Sequence, residues 1–207
     1  MSPKFLSLLT VEHLKDVTAL DVGCGTGQLA ITLAPLYRRV IGIDRDADAI
    51  LKARERASVL GFDNAEFVIA DAEAEEYTRW APQLVASHLC MSPEIIARAG
   101  RALEPGEVFA FVCFHVDQWR ETGTVSRFAF DERRLRELLD GHGFKVEHLE
   151  VEREVHEFDS AEAALAHVAG LRAKWESDRR WQRYTTFVAD GGRTLTRSHL
   201  IVKARRR

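Results

Sequence analysis

Apolar positions along the chain fall into short continuous runs, and stretches of helical period separate them. Residues 17–22, 39–43, 65–70, 84–87 and 108–114 read as strands. The run 108–114 is apolar almost throughout, as a central strand covered on both faces should be. Residues 47–60 set Ile50, Ala53, Ala57 and Leu60 on one helical face, with Gly61 as a stop signal. The pattern predicts further helices after Gly27 to about Leu36, over 94–103, and from Asp131 to Gly141 or Gly143. Asp131 is a good N-cap, and Phe130 and Leu135 are spaced for a hydrophobic staple across it. A short amphipathic helix over 3–14 would use Phe5, Leu8, Leu9 and Leu14. Alternating strands and helices predict an α/β fold with a mostly parallel sheet.

The last third departs from this rhythm. Residues 145–158 read as a long strand with glutamates at 147, 150, 152, 154 and 157, a charge load that suits an edge. Residues 160–188 have helical period, with Leu165, Val168, Leu171 and Trp175 near one face. Gly191 and Gly192 then turn the chain into a final strand over 194–204. With no repeat and no low-complexity linker, the expectation is a single domain over 1–207 carrying a helical insertion at about 160–190 before the last strand.

Composition narrows the class. The chain has 207 residues, 46% of them hydrophobic, enough to bury a core without disulfide staples. Cys24, Cys90 and Cys113 are far apart in sequence and form no C-x-x-C pair, so they read as free thiols in a reducing compartment. No His, Cys and Asp cluster has metal spacing, and the expectation is no metal. No apolar run approaches the ~20 residues of a membrane span, and the first residues lack a signal-peptide pattern. A cytoplasmic protein, monomeric or homodimeric and without membrane attachment, is expected. Charge is unevenly spread: residues 170–207 hold 11 Lys and Arg against 3 Asp and Glu, whereas 1–169 hold 18 against 29. Such a basic segment either attracts nucleic acid or balances the acidic body of its own molecule.

The most informative stretch is Asp21-Val22-Gly23-Cys24-Gly25-Thr26-Gly27, between a strand and a helix. Glycines there let the backbone turn sharply and approach a ligand. Asp44 closes the second strand, where a carboxylate can accept from two ribose hydroxyls, and Asp71 closes the third, within reach of an exocyclic amine. All three acids fall at carboxyl ends of adjacent strands, the edge at which such sheets bind ligands. The glycine spacing is G-x-G-x-G; Gln28 stands where a dinucleotide fingerprint has its third glycine, and no Walker-type lysine follows. A nucleoside cofactor without phosphates, such as S-adenosylmethionine, suits this loop better than NAD.

On these motifs the chain resembles the class I S-adenosylmethionine-dependent methyltransferases over roughly residues 15–158 and the final strand. Asp21 to Gly27 looks like the family's first motif, Ile43-Asp44 like its ribose-binding acid and Ala70-Asp71-Ala72 like its adenine-contacting position. Leu103-Glu104-Pro105-Gly106-Glu107 is similar to its L-x-P-G-G turn, with Glu107 in place of the second glycine. The resemblance implies a Rossmann-like seven-stranded sheet with helices on both faces and an antiparallel last strand. It implies a cofactor site of Asp21, Gly23, Cys24, Gly25, Thr26, Gly27, Asp44, Arg45, Asp71, Ala72 and Ser87. Arg45 would stack on adenine by its planar face or point to water. Many relatives open the fourth strand with F-D-L-V, where this chain has Pro82-Gln83-Leu84-Val85; that acid is commonly near the active site's edge.

Histidines at the ends of strands four and five, His88 and His115, are the candidate catalytic side chains, because imidazole titrates near neutrality. The spacing around 158–192 is loosely similar to that of methyltransferases acting on malonyl carrier protein, and the helices at 160–188, with Trp175 and Trp181, are expected to cover the acceptor. The expected function is methyl transfer to a small-molecule or carrier-bound acceptor. The alternatives are an RNA or other nucleic-acid methyltransferase using the basic C-terminal segment, and a non-catalytic cofactor-binding regulator with the same fold. Nucleic acid is disfavoured by the acidity of the body and by the sequence after strand four, Ser87-His88-Leu89-Cys90-Met91-Ser92-Pro93, which lacks the N/D-P-P-Y/F/W motif.

Overall fold

The computed structural model describes residues 1–10 and 15–207. In chain order the elements are α1 (Pro3–Leu9), β1 (Thr18–Val22), α2 (Gln28–Leu33), β2 (Arg39–Asp44), α3 (Ala47–Leu60), β3 (Ala65–Ile69), β4 (Leu84–His88) and α4 (Pro93–Ala102). There follow β5 (Val108–His115), β6 (Ala129–Phe130), α5 (Glu132–Gly141), β7 (Phe144–Glu157), α6 (Ala161–His167), α7 (Arg172–Glu176), α8 (Arg180–Ala189) and β8 (Thr194–Arg206). Short 3-10 turns stand at Tyr77–Trp80, Arg120–Thr122 and Ala169–Leu171. Among the described residues no helix is long and apolar enough to cross a membrane.

The chain divides into two compact units. The first holds Met1–Cys113, Glu132–Glu150 and Ile201–Arg207; the second holds Phe114–Asp131 and Val151–Leu200. The expected insertion is therefore only part of the second unit, which also takes in the segment after β5 and the adjoining parts of β7 and β8.

The sheet runs in the order β3-β2-β1-β4-β5-β8-β7. The pairs β3–β2, β2–β1, β1–β4 and β4–β5 are parallel. Backbone bonds join Gly106 and Glu107, before β5, to Arg206 at the end of β8, so β8 is antiparallel to β5. All seven strands read from the sequence are present, and the glutamate-rich β7 is an edge. The two-residue β6, paired with the end of β5, is an eighth strand that apolar periodicity does not reveal. Strand side chains alternate between faces. Ala19, Val40, Leu84, Ala86, Val108, Ala110 and Val112 join one buried cluster with Leu29, Leu33, Ile50, Ala53 and the α1 residues Phe5 and Leu9. The intervening Phe109 and Phe111 are also buried, with ring centroids 4.7 Å apart, and Phe144 lies 5.3 Å from Phe109.

Several boundaries differ from the sequence reading for local reasons. Helix α2 stops at Leu33 rather than near Leu36, because Pro35 has no N–H to continue the ladder. Helix α1 ends at Leu9, and Leu14, the last apolar position of that expected helix, lies outside the described residues. The long helical stretch is broken at Ala169–Leu171 and at Arg179, whose φ is +66°. Asp46 caps α3 by accepting from the N–H groups of Asp48 and Ala49, and Gly61 ends it at φ +71°. In the second unit, Trp175 and Tyr184 are fully buried in a core with Ala164, Val168, Val188 and Leu195. Trp119 packs edge-on against Trp175 at 5.2 Å. Trp175 is thus a core residue of its unit, whereas Trp181 is half-buried beneath the Arg172 guanidinium.

The basic end of the chain is taken up by the first unit. Arg205 donates to both carboxylate oxygens of Glu147 (2.6 and 3.2 Å), and Lys203 lies 3.8 Å from the same group. Arg206 donates to the carbonyls of Gly100 and Gly143, and Arg207 pairs with Asp140.

Candidate functional site

At the carboxyl ends of β1 and β2 the first unit builds a tight loop. Gly23, Gly25 and Gly27 all have positive φ, at +71°, +52° and +78°. The N–H groups of Gly23 and Cys24 both donate to Ile43 O at 2.9 Å, pulling the loop onto the end of β2. A Cβ on Gly23 would stand 2.3 Å from the Cys90 side chain, and one on Gly27 would stand 2.8 Å from the Phe67 ring. A Cβ on Gly25 would meet nothing within 4 Å. Two of the glycines are thus needed for internal packing, while the third leaves the crest of the loop open.

The carboxylates divide into one internal and two outward groups. Asp21 is buried, and its Oδ2 accepts from Ala30 N at 3.0 Å in the first turn of α2. Burial pushes its pKa up to about 7; the Ala30 N–H opposes this and the Asp44 charge adds to it. Asp44 is half-buried. Its Oδ2 accepts from Gly25 N and its Oδ1 from Asp46 N, both at 2.9 Å. Asp71 is exposed and uses Oδ1 on Glu73 N at 2.9 Å, the same two-residue turn that Asp44 makes with Asp46. Each oxygen so engaged retains lone-pair capacity for a second donor. Arg45 is exposed beside Asp44, and Ala72 is buried with its carbonyl accepting from the Tyr77 hydroxyl at 2.6 Å.

Ser87 is fully buried. Its hydroxyl is shared between the carbonyls of Val22 (2.8 Å) and Cys90 (2.6 Å), so it clamps the turn after β4 to the end of β1. His88 is half-buried with its ring 6.2 Å from that of Phe5. Leu89, next to it, is held at φ +62°, a conformation that costs a non-glycine residue about 1–3 kcal/mol. His115 belongs to the second unit. Its Nδ1 lies 3.3 Å from Asp117 N, 3.0 Å from the Ser198 hydroxyl and 3.7 Å from the Asp117 carboxylate. Burial pushes the thiols of Cys24 and Cys113 far up and that of Cys90 to about 11, so all three are neutral near pH 7. Among the described residues no three His, Cys, Asp or Glu side chains converge to hold a metal ion.

Some supporting residues escape sequence reading. Arg56, on α3, donates to Thr26 O at 2.9 Å. Arg98, on α4, donates to the carbonyls of Glu73 and Glu75 and to the Glu76 carboxylate, and so holds the segment after Asp71. Both occupy polar helix faces, where they look like any solubilising arginine. Phe67 could have been found through Gly42, its parallel partner: an interior strand glycine marks a close approach. Gln83 corrects an expectation. Its Oε1 accepts from Thr18 N at 2.7 Å and its own N–H donates to Thr18 O, before β4 begins. That is the amino edge of the sheet, opposite the glycine loop, so the change from the relatives' acid affects strand entry and not the site. Glu107 likewise has a local use, accepting from Glu104 N at 2.6 Å across the turn that a glycine makes in relatives.

A family model described as "Methyltransferase domain" matches residues 13–186. The chain belongs to this family. Among curated methyltransferases, it is 36% identical over 78 residues to a 23S rRNA (uracil(1939)-C(5))-methyltransferase of Xanthomonas campestris pv. campestris, a stretch covering 37% of this chain and 18% of that protein. It is 35% identical over 79 residues to a protein-L-isoaspartate O-methyltransferase of Helicobacter pylori, covering 38% of this chain and 36% of that one. The chain thus matches well under half the length of these methyltransferases. A solved S-adenosylmethionine-dependent methyltransferase from Mesorhizobium loti superposes with a TM-score of 0.64 at 18% identity, covering 99% of this chain and 96% of the other. The fold is that of the methyltransferases.

Proposed function

We propose that the protein is an S-adenosylmethionine-dependent methyltransferase acting on a small-molecule or carrier-bound acceptor. The observation that carries this reading is the Gly25–Asp44 pair: an open loop crest bonded to a carboxylate that, among the described residues, accepts from only one further donor, Asp46 N. The fit is chemical. A ribose offers two hydroxyl donors and needs an acceptor such as Asp44; an adenine amine needs one such as Asp71; no phosphate asks for a lysine.

In this reading Gly23, Cys24, Gly25, Thr26 and Gly27 form the cradle, with Asp21 fixing the first turn of α2 behind it. Asp44 takes the ribose, Arg45 covers the base, Asp71 and Ala72 meet the adenine, and Ser87 keeps the β4 turn closed beneath. When bound, S-adenosylmethionine supplies a methyl carbon already activated by a sulfonium. The protein then has chiefly to orient the acceptor, which can be worth several kcal/mol. We assign His88 the removal of a proton from an acceptor that must lose one.

A second reading, an RNA methyltransferase, draws on the partial match to an rRNA enzyme. Against it stand the terminal arginines, which are committed to Glu147, Asp140 and backbone carbonyls. Calorimetric titration with S-adenosylmethionine and with NAD tests the cofactor. Binding of the first and not the second is expected; NAD binding alone would sink the reading. Binding without turnover of any acceptor would favour the regulator instead.

A further inference from the structure

The second unit carries an open cleft of about 480 Å³ lined by Glu121, Thr122, Gly123, Gln182, Arg183 and Thr186. We propose that this cleft binds the carboxylate of a small organic acid, with Arg183 as the anchor. All six lining residues belong to the second unit, so the cleft stands independently of the methyltransferase reading.

Three features point to an anion. Gln182, Arg183 and Thr186 follow helical spacing on α8 and share a face, and Arg179 immediately precedes that helix. Arg183 is exposed, and its one side-chain hydrogen bond among the described residues is from Nη1 to Gly123 O at 2.8 Å. That bond fixes the guanidinium at the cleft wall and leaves its other donors without a hydrogen-bond partner among the described residues. Arg179 is exposed beside it and pairs with no acid among the described residues. The first turn of α8 holds no acid, and the only carboxylate found at its start among the described residues is Asp178, which accepts from Arg180 N at 3.2 Å. Cations at a helix N-terminus oppose the helix dipole, at about 0.3–1 kcal/mol each. Arg180 is offset by Asp178, whereas Arg183 forms no ion pair among the described residues, and a bound anion would supply one.

The lining also selects among anions. Glu121 contributes a carboxylate whose oxygens accept from Thr196 N (3.0 Å) and the Thr196 hydroxyl (2.5 Å). Its charge raises the cost of a phosphate dianion more than that of a monoanion. A guanidinium fork matches a carboxylate geometrically.

The test is a nitrogen-15 NMR titration of the full chain with hexanoate and, separately, with inorganic phosphate. Hexanoate should move the amide signals of Gly123, Arg183 and Thr186, and phosphate should bind more weakly. Arg183→Gln should weaken hexanoate by about tenfold or more, the usual worth of a charged hydrogen bond. Arg179→Gln, at an exposed side chain with no contact to lose, should weaken it by a smaller factor; it serves as the readout should Arg183→Gln fail to fold. No movement of those signals up to tens of millimolar hexanoate would overturn the assignment. So would equal affinity in both variants and the parent, or tighter binding of phosphate.

Discussion

The N–H of Gly25 and the carboxylate of Asp44 meet at 2.9 Å, although 19 residues separate them. One bond therefore links the crest of the loop after β1 to the end of β2. A second bond, from Asp46 N, turns the same carboxylate so that it also starts α3. Loop shape and carboxylate direction cannot be changed independently.

Replacing Asp44 tests that link. Asp44→Ala removes the acceptor of two backbone donors and of the proposed ribose hydroxyls. Affinity for S-adenosylmethionine should fall about ten- to a hundredfold, since hydrogen bonds to charged groups are worth about 1.5–3 kcal/mol. Calorimetry would read this directly, and an unchanged affinity would remove Asp44 from the site.

The glycines should separate by role. In Gly23→Ala the new Cβ must displace Cys90 as well as hold a left-handed φ, so Tm should drop strongly. Gly25→Ala pays only the backbone cost of about 1–3 kcal/mol, because the space beyond it is open. It should lose cofactor affinity out of proportion to its stability. Thermal melts with and without S-adenosylmethionine compare the two.

Asp21 makes stability depend on pH in an unusual direction. Its folded pKa of about 7 lies above the ordinary carboxylate value of 3.8, so between these values the folded chain binds more protons than the unfolded one. The Asp21 contribution to stability is therefore best at the acid end and declines as pH rises from about 4 to 7. Asp21→Asn keeps an oxygen for Ala30 N and removes the buried charge. The gap in Tm between Asp21→Asn and the parent should widen in favour of the variant across that range. A constant gap would show that Asp21 titrates normally.

Arg206 should matter to stability and not to RNA. Arg206→Ala leaves the carbonyls of Gly100 and Gly143 without their charged donor, a loss of about 1–3 kcal/mol by urea denaturation. Affinity for an unstructured RNA should be weak and nearly the same with and without residues 205–207. A marked loss on their removal would revive the nucleic-acid reading.

The parts of the fold legible in sequence are those with strong local signals. Buried strands such as Val108–His115 announce themselves by composition, and Gly61 marks the end of α3. The glycine loop after β1 was legible because glycines with positive φ have few substitutes. What could not be read is long-range bonding by side chains with ordinary surface identities. Gln83 on Thr18, Arg56 on Thr26 and Arg98 on Glu73 leave no periodic trace. The reach of the second unit was illegible for the same reason. Its residues 115–121 are tied to β8 through Gln118 and Glu121, polar side chains that look like loop.

That second unit is assembled from two separate lengths of chain, Phe114–Asp131 and Val151–Leu200, and the backbone passes between the units four times. A specificity module made of one contiguous piece can be transplanted with two cuts. Here a deletion or exchange confined to 160–190 would strip Trp119 of Trp175 and strand Glu121 beside an altered β8 approach. Any chimera with a relative must therefore exchange both lengths together. The second unit would therefore diverge by point substitution more readily than by recombination.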